Sequence, residues 1–296
     1  MTPDRWPLIL MYHGIIPRQP DRENVDLGVV YADQFERHLG ALRRRFTVLH
    51  PEDFAELARS GRPFPRRSVL VTLDDGFQNV LDHALPAARA HGVVPLAFIS
   101  TGHLSGQRWL WFSRLAASRV LGGPDLLGLV GRLSRLPLSA IETEVSAAGA
   151  PTRDEATPLA RLLFDGADAG LLAEAAGRGS VVLGGHTVLH PFLSRETRES
   201  RRREIADNKR ELEALAGRPV RLFAYPSGDL DAEVARDVRD AGYAAAFAIH
   251  PAPPGFPEDL RRFQVPRVGI YAAGPLAFRL KCAGIDRVRR RMGLLS

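Results

Sequence analysis

The chain has 296 residues, 45% of them apolar and 25% charged, with 27 Gly and 22 Pro spread along it, a globular composition that excludes a disordered or collagen-like protein. The net charge is +6, but residues 279–291 carry six basic side chains against Asp286 alone, so the body is nearly neutral and no nucleic-acid partner is expected. No apolar run reaches the roughly 20 residues that a bilayer-spanning helix needs.

Short β-type runs alternate with helical patterns along the chain. Strands are expected at 8–12, 68–73, 93–99, 180–184, 220–225, 243–249 and 264–270, and helices at 32–45, 52–59, 78–90, 167–178, 194–215 and 231–241, each helix with apolar residues three and four apart. Gly92, Gly217 and Gly242 follow three of the helices where a C-cap falls. Seven or eight β/α units of this kind predict a TIM-like (β/α) barrel, distorted and seven-stranded, built from the whole chain as a single domain. Residues 103–158 break the alternation with helical Leu/Ala/Arg text and no strand, and read as a helical insertion after the fourth strand. Residues 274–296 read as a basic C-terminal helix, packed on the body by one face and able to touch an anionic membrane surface peripherally.

Other features narrow the function. Neither GxGxxG nor GxxxxGK[ST] occurs, so the common nucleotide loops are absent. Cys282 is the only cysteine, which excludes an internal disulfide and a thiolate metal site. The first residues lack a secretory pattern, since Asp4 adjoins Arg5 and the apolar stretch is short. A cytoplasmic location is expected, with peripheral contact at the inner membrane face.

Two segments carry chemistry. The apolar run at 69–73 ends in Asp74-Asp75-Gly76, and the C-terminal ends of parallel barrel strands are where active sites form. Adjacent residues there point in different directions, so one carboxylate can bind a metal while the other faces a substrate. A helix N-cap would explain one Asp, not two. The apolar run at 181–183 leads into Gly184-Gly185-His186-Thr187-Val188-Leu189-His190, whose histidines converge on one ion if the segment turns as a helix. One Asp with two His suits Zn²⁺ or another divalent ion with positions open to water.

Together these segments resemble the polysaccharide deacetylase family, which shares the nodulation-type chitooligosaccharide deacetylase homology domain. The family's TFDDG appears as Thr72-Leu73-Asp74-Asp75-Gly76, its H[ST]xxH as His186 to His190, and its FxYPxG turn as Phe223-Ala224-Tyr225-Pro226-Ser227-Gly228. The resemblance implies Asp74 as general base and Asp75, His186 and His190 as ligands of one divalent ion, most readily zinc. It further implies the Ser227 backbone N–H as an oxyanion donor and Tyr225 lining the substrate site. Many members carry Arg where this chain has Ala224, so another group must orient the base; Arg267, on a late strand, is the candidate by location and is placed with Tyr225 among the substrate-side residues. The family's C-terminal LxH acid is missing. Leu10-Met11-Tyr12-His13-Gly14 resembles the YHxI opening of a permuted branch, which makes His13 the expected acid, with His250 as its competitor.

Other histidines read as bland: His38, His50, His83 and His91 lie on or beside helices, and His103, which opens the insertion, reads as a solvated loop residue, with a place at the barrel mouth as the alternative. The run Arg201–Arg203, among several carboxylates, reads as a solvated helix face. Trp109, Trp111 and Phe112 read as packing that anchors the insertion, with stacking on a sugar as the alternative. The expected activity is a metal-dependent hydrolysis that removes an N-acetyl group from an amino sugar of a glycan or glycan precursor. Two alternatives stand beside it, a deformylase or deacylase of a lipid-linked glycoconjugate at the cytoplasmic membrane face, and an inert barrel that binds glycan or polyanion.

Overall fold

A computed structural model describes residues 6–18, 28–106, 108–249, 255–271 and 274–283. Eight strand segments form its principal sheet: β1 (Leu8–Tyr12), β2 (Ser68–Leu73), β3 (Leu96–Ile99), β4 (Val182–Gly185), β5 (Leu222–Ala224), β6 (Ala245–Ala248), β7 (Val265–Pro266) and β8 (Val268–Gly269). They run in the order β7-β6-β5-β4-β3-β2-β1-β8, all parallel. A short strand, Thr47–Val48, pairs with the start of β2.

The two ends of this sheet are the two halves of one extended run, separated only by Arg267. Val265 and Pro266 pair with Phe247 and Ala248, whereas Val268 and Gly269 pair with Leu10 and Met11. The single strand expected at 264–270 is thus divided between two neighbours, which gives eight segments in place of seven and brings the sheet round to a nearly closed barrel.

Strand residues alternate between two cores, as the period of two requires. Ile9, Leu70, Leu96, Phe98, Leu222, Ala224, Ala245 and Phe247 fill one core with Phe54, Ala55 and Ala58 of the helix Pro51–Ser60. Leu10, Val69, Val71, Ala97, Ile99, Phe223 and Ala246 join another core with the surrounding helices. Burial on both faces explains why the strands are nearly continuous apolar runs.

The helices follow the expected pattern with local differences. Ala32–Arg45 matches the expected bounds, and Arg198–Ala216 ends at Gly217, whose φ of 62° is the left-handed C-cap. The segment at 78–90 divides into a π-turn, Val80–Ala84, and an α-helix, Leu85–Ala90. Pro86 has no N–H to continue the regular ladder.

Between β3 and β4 the chain forms a 3₁₀ turn, Thr101–Gly106, and the helices Trp111–Val120, Val130–Leu133, Leu138–Ala147, Pro158–Phe164 and Ala169–Gly177, with no strand among the described residues. Trp109, Ala117, Leu163 and Phe164 belong to one small core there, and Trp111, Leu115, Ile141 and Val145 to another. Near the C-terminus, helix Pro275–Cys282 buries Phe278 against His38, the rings stacked 3.8 Å apart. Residues 284–296 of the expected basic helix lie outside the described residues. No described helix is long and apolar enough to cross a membrane.

Candidate active site

The C-terminal ends of the strands converge on one cleft of about 390 Å³, bordered by His13 after β1, Asp74 and Asp75 after β2, His186 and His190 after β4, Tyr225 and Ser227 after β5, and Arg267 between β7 and β8. Apart from His250, every residue singled out for chemistry is therefore at one barrel mouth. Backbone strain is concentrated there as well. Of the six non-glycine residues with positive φ among the described residues, Asp75, Thr187, His190 and Ser227 belong to these strand ends, a pattern that marks functional sites.

The two adjacent carboxylates have separate environments. The Asp74 N–H continues the ladder by donating to the Tyr12 carbonyl at 2.8 Å, whereas Asp75 turns into the left-handed region at φ 72°. The Asp74 Oδ1 accepts a hydrogen bond from Arg267 Nη1 at 2.7 Å, with both side chains almost wholly buried. Arg267 reaches it because the split between β7 and β8 leaves this residue at the mouth, where its guanidinium also lies 5.4 Å over the Phe98 ring. Arg267, which also borders the cleft, is thus the partner of Asp74 that Ala224 does not supply.

Asp75 faces the histidines instead. Its Oδ1 is 3.4 Å from His186 Nε2 and 3.7 Å from His190 Nε2, and ligand atoms of the three residues lie within 4.8 Å of one another. The His186 Nδ1–H donates to the Ala224 carbonyl at 2.8 Å, which fixes the tautomer and leaves the Nε2 lone pair free to ligate. Burial first, and then neighbouring His186, push His190 down to about 3, so its imidazole is neutral. Burial opposes ionisation of Asp75, but the facing His186, with His13 and His190 nearby, outweighs it and holds its carboxyl well below the ordinary range. Two imidazoles and one carboxylate aimed at a common point fit a divalent, borderline-soft ion.

The histidine segment converges without being a helix, contrary to the sequence expectation. After β4 it bends as an irregular loop with positive φ at Thr187 and His190. Helix Arg198–Ala216 holds that loop from behind. The Glu204 carboxylate accepts the Val188 and Leu189 N–H groups at 2.9 Å each, and Asn208 Oδ1 accepts the His186 N–H at 3.0 Å. Asn208 Nδ2 donates to the carbonyls of Thr187 and Ile99, so one buried amide ties β3 to the ligand loop. The close approach also explains Gly185, where a Cβ would lie 2.2 Å from the Tyr243 hydroxyl.

Several supporting groups escaped sequence reasoning. His103 is fully buried, not solvated, because its Nε2–H donates to the Asp75 carbonyl at 2.9 Å, while burial lowers its pKa and keeps it neutral. Trp111 donates its indole N–H to the His190 carbonyl at 2.9 Å. Arg201 is also buried, since Asp237 accepts its Nε–H at 2.7 Å between helices Arg198–Ala216 and Ala232–Asp240; the solvated reading fails at this residue. Glu204 and Asn208 are one helical turn apart, a spacing shared by many surface pairs, and only the fold shows what they face.

On the other side of the cleft, His13 is half-buried and nearly parallel to the Tyr271 ring, at 17° and 6.2 Å between centroids. Its buried Nδ1 has no hydrogen-bond partner among the described residues. Tyr225 is buried and donates its hydroxyl to the Phe263 carbonyl at 2.8 Å, so it lines the cleft without a free hydroxyl. Ser227 is exposed in the Pro226–Gly228 turn with φ 54°. His250 lies outside the described residues.

Residues 61–246 match the sequence profile of the polysaccharide deacetylases. The chain belongs to the polysaccharide deacetylase family. It is accordingly a hydrolase that removes N-acetyl groups from carbohydrate, in a family that depends on a metal. No curated protein sequence matches this deacetylase. Among solved structures, the Streptococcus pyogenes deacetylase PplD, determined in complex with acetate, has 18% identity and a TM-score of 0.63, covering 93% of this chain and 97% of its own. IcaB from Ammonifex degensii has 19% identity and a TM-score of 0.61 over 93% and 95%. A de-N-acetylase from Aggregatibacter actinomycetemcomitans has 13% identity and a TM-score of 0.61 over 93% and 98%. At these identities the likeness is one of fold, and it covers nearly the whole of each chain.

Proposed function

We propose that this deacetylase hydrolyses the N-acetyl group of an amino sugar with Asp74 as general base, His13 as general acid, and Asp75, His186 and His190 as the ligands of one zinc ion. The observation that carries this reading is the separation of the two carboxylates, Asp75 facing two imidazoles and Asp74 held apart by Arg267. A divalent ion at the three ligands supplies Lewis acidity toward the amide carbonyl and lowers the pKa of water.

The remaining work falls to the chain. Asp74 accepts a proton from the attacking water, and the Arg267 hydrogen bond fixes which oxygen is free to do so. The Ser227 backbone N–H, in its strained turn, donates to the carbonyl oxygen as negative charge develops. His13, across the cleft, gives a proton to the departing amine, so that water and amide become acetate and a free amino sugar. In its support, the unpartnered Nδ1 leaves that ring without a competing structural role at this atom.

Elemental analysis and an acetate-release assay test the assignment together. The purified protein is expected to hold about one divalent ion per chain and to release acetate from an N-acetylated amino sugar. Metal content that is unchanged in both His186→Ala and His190→Ala would remove the ligand assignment. A separate test addresses His13. His13→Ala is expected to lower turnover on the amide by about a hundredfold or more, but to have much less effect on an activated ester, whose leaving group needs no proton. Equal losses on both substrates would assign His13 to folding or metal binding instead.

A further inference from the structure

The two histidine ligands are held in different ways. A metal-ligating histidine ordinarily donates its second ring N–H to an acceptor, which sets the direction of the ring. His186 follows that rule through the Ala224 carbonyl. His190 does not, because its buried Nδ1 has no hydrogen-bond partner outside its own residue among the described residues. The direction of its ring has to come from the backbone and from packing. That backbone is in the left-handed region at φ 59°, a conformation that a residue with a Cβ keeps only where its surroundings over-determine it.

The helical stretch between β3 and β4 supplies much of those surroundings. The Trp111 indole N–H donates to the His190 carbonyl at 2.9 Å, while Thr187 Oγ1 accepts the His190 N–H at 3.0 Å. The Phe112 ring packs on the His190 imidazole, with 4.5 Å between centroids at an angle of 54°. Phe192, shortly after the ligand, is buried with Trp111, Leu115, Leu133, Ile141 and Val145 in a small core of that stretch. Its ring lies 5.7 Å from that of Trp111. Beyond it, Glu196 Oε1 accepts the Leu138 N–H at 2.6 Å, and the Arg195 Nε–H donates to the Ser134 carbonyl at 3.3 Å. The chain leaving His190 is thus fastened to the insertion from residue 190 to residue 196.

We propose that the helical insertion is part of the metal site: Trp111 is a positioning residue that, with Phe112 beside it, holds the ligand His190 toward Asp75 and His186. The inference rests on the proposed ligand set, and concerns how firmly the site holds its ion rather than which residues touch it. Without the indole, the His190 carbonyl loses a donor and the left-handed turn relaxes toward ordinary φ. An ion binding there would then have to supply the free energy that restores the position of the ring.

Trp109 provides the control. It is as deeply buried as Trp111 and also donates its indole N–H, but to the Asp165 carboxylate at 2.9 Å, which Arg153 binds as well. Trp111→Phe and Trp109→Phe each exchange an indole for a phenyl ring and remove one hydrogen bond, so a merely structural role predicts the same result for both. The affinity for Zn²⁺, read by competition with a chromophoric chelator, is expected to fall about tenfold to a hundredfold in Trp111→Phe, the usual cost of losing a group that orients a ligand. In Trp109→Phe it is expected to stay at the parent's value. Equal weakening in both variants, or none in Trp111→Phe, would overturn the inference and leave the ligand assignment standing. If Trp111→Phe does not fold, Phe112→Leu decides, because that half-buried ring packs on His190 without donating a hydrogen bond. Affinity about tenfold weaker in Phe112→Leu supports the inference, and the parent's affinity overturns it. A parent protein that binds no Zn²⁺ would instead remove the metal-site reading, and the inference with it.

Discussion

Asp74→Asn is expected to retain the bound metal and lose a hundredfold to ten-thousandfold in turnover, the usual worth of a general base, whereas Asp75→Asn is expected to lose metal and turnover together. The two residues are adjacent and both carboxylates are buried, so neither exposure nor position along the chain separates them. Their partners do. Asp75 Oδ1 faces two imidazole nitrogens across 3.4 and 3.7 Å, while Asp74 Oδ1 is 2.7 Å from a guanidinium nitrogen. Replacing one carboxylate oxygen by an amide NH₂ removes a ligand in the first case and a proton acceptor in the second. Steady-state kinetics and elemental analysis on both variants, prepared in parallel, read the difference. Metal loss in Asp74→Asn with retention in Asp75→Asn would exchange the two roles.

How much of this was legible in the sequence depended on whether the signal was local. The Asp74-Asp75 pair stands out because an unbroken apolar run precedes it, and burial on both strand faces makes that run. His186 and His190 were legible as a pair, but the way they converge was not. A spacing of four suggests a helix, and the observed loop is imposed by Glu204 and Asn208, whose sequence context is a mixed-charge helix like many others. Strand ends were overestimated at 93–95, where Pro95 has no N–H to donate to a ladder and pairing begins only at Leu96. Arg201 and His103 were misread for a common reason. Each is a polar side chain whose burial depends on one partner, Asp237 or the Asp75 carbonyl, that only the tertiary fold supplies.

The division of the final strand at Arg267 was likewise invisible, because it depends on which neighbours each half meets, yet it is what aims the guanidinium at Asp74. Arg267→Met is expected to destabilise the metal-free protein by about 3–5 kcal/mol, the cost of leaving a buried charge without its partner, and to lower turnover about as far as Asp74→Asn does. Both side chains are nearly inaccessible to solvent, so water offers little compensation. If the loss comes from the stranded carboxylate, Asp74→Asn combined with Arg267→Met is expected to be more stable than Arg267→Met alone, since the double variant buries no unpaired charge. Turnover in the double variant is expected to fall no further than in either single one, because the two residues act as one unit and their effects do not add. Urea denaturation of the three variants in the presence of a chelator isolates the stability part of this cycle. The kinetic part separates a positioning role from a structural one. An Arg267→Met protein that loses stability but keeps its kcat would show that the base needs no orienting partner, and that the guanidinium serves only to close the barrel.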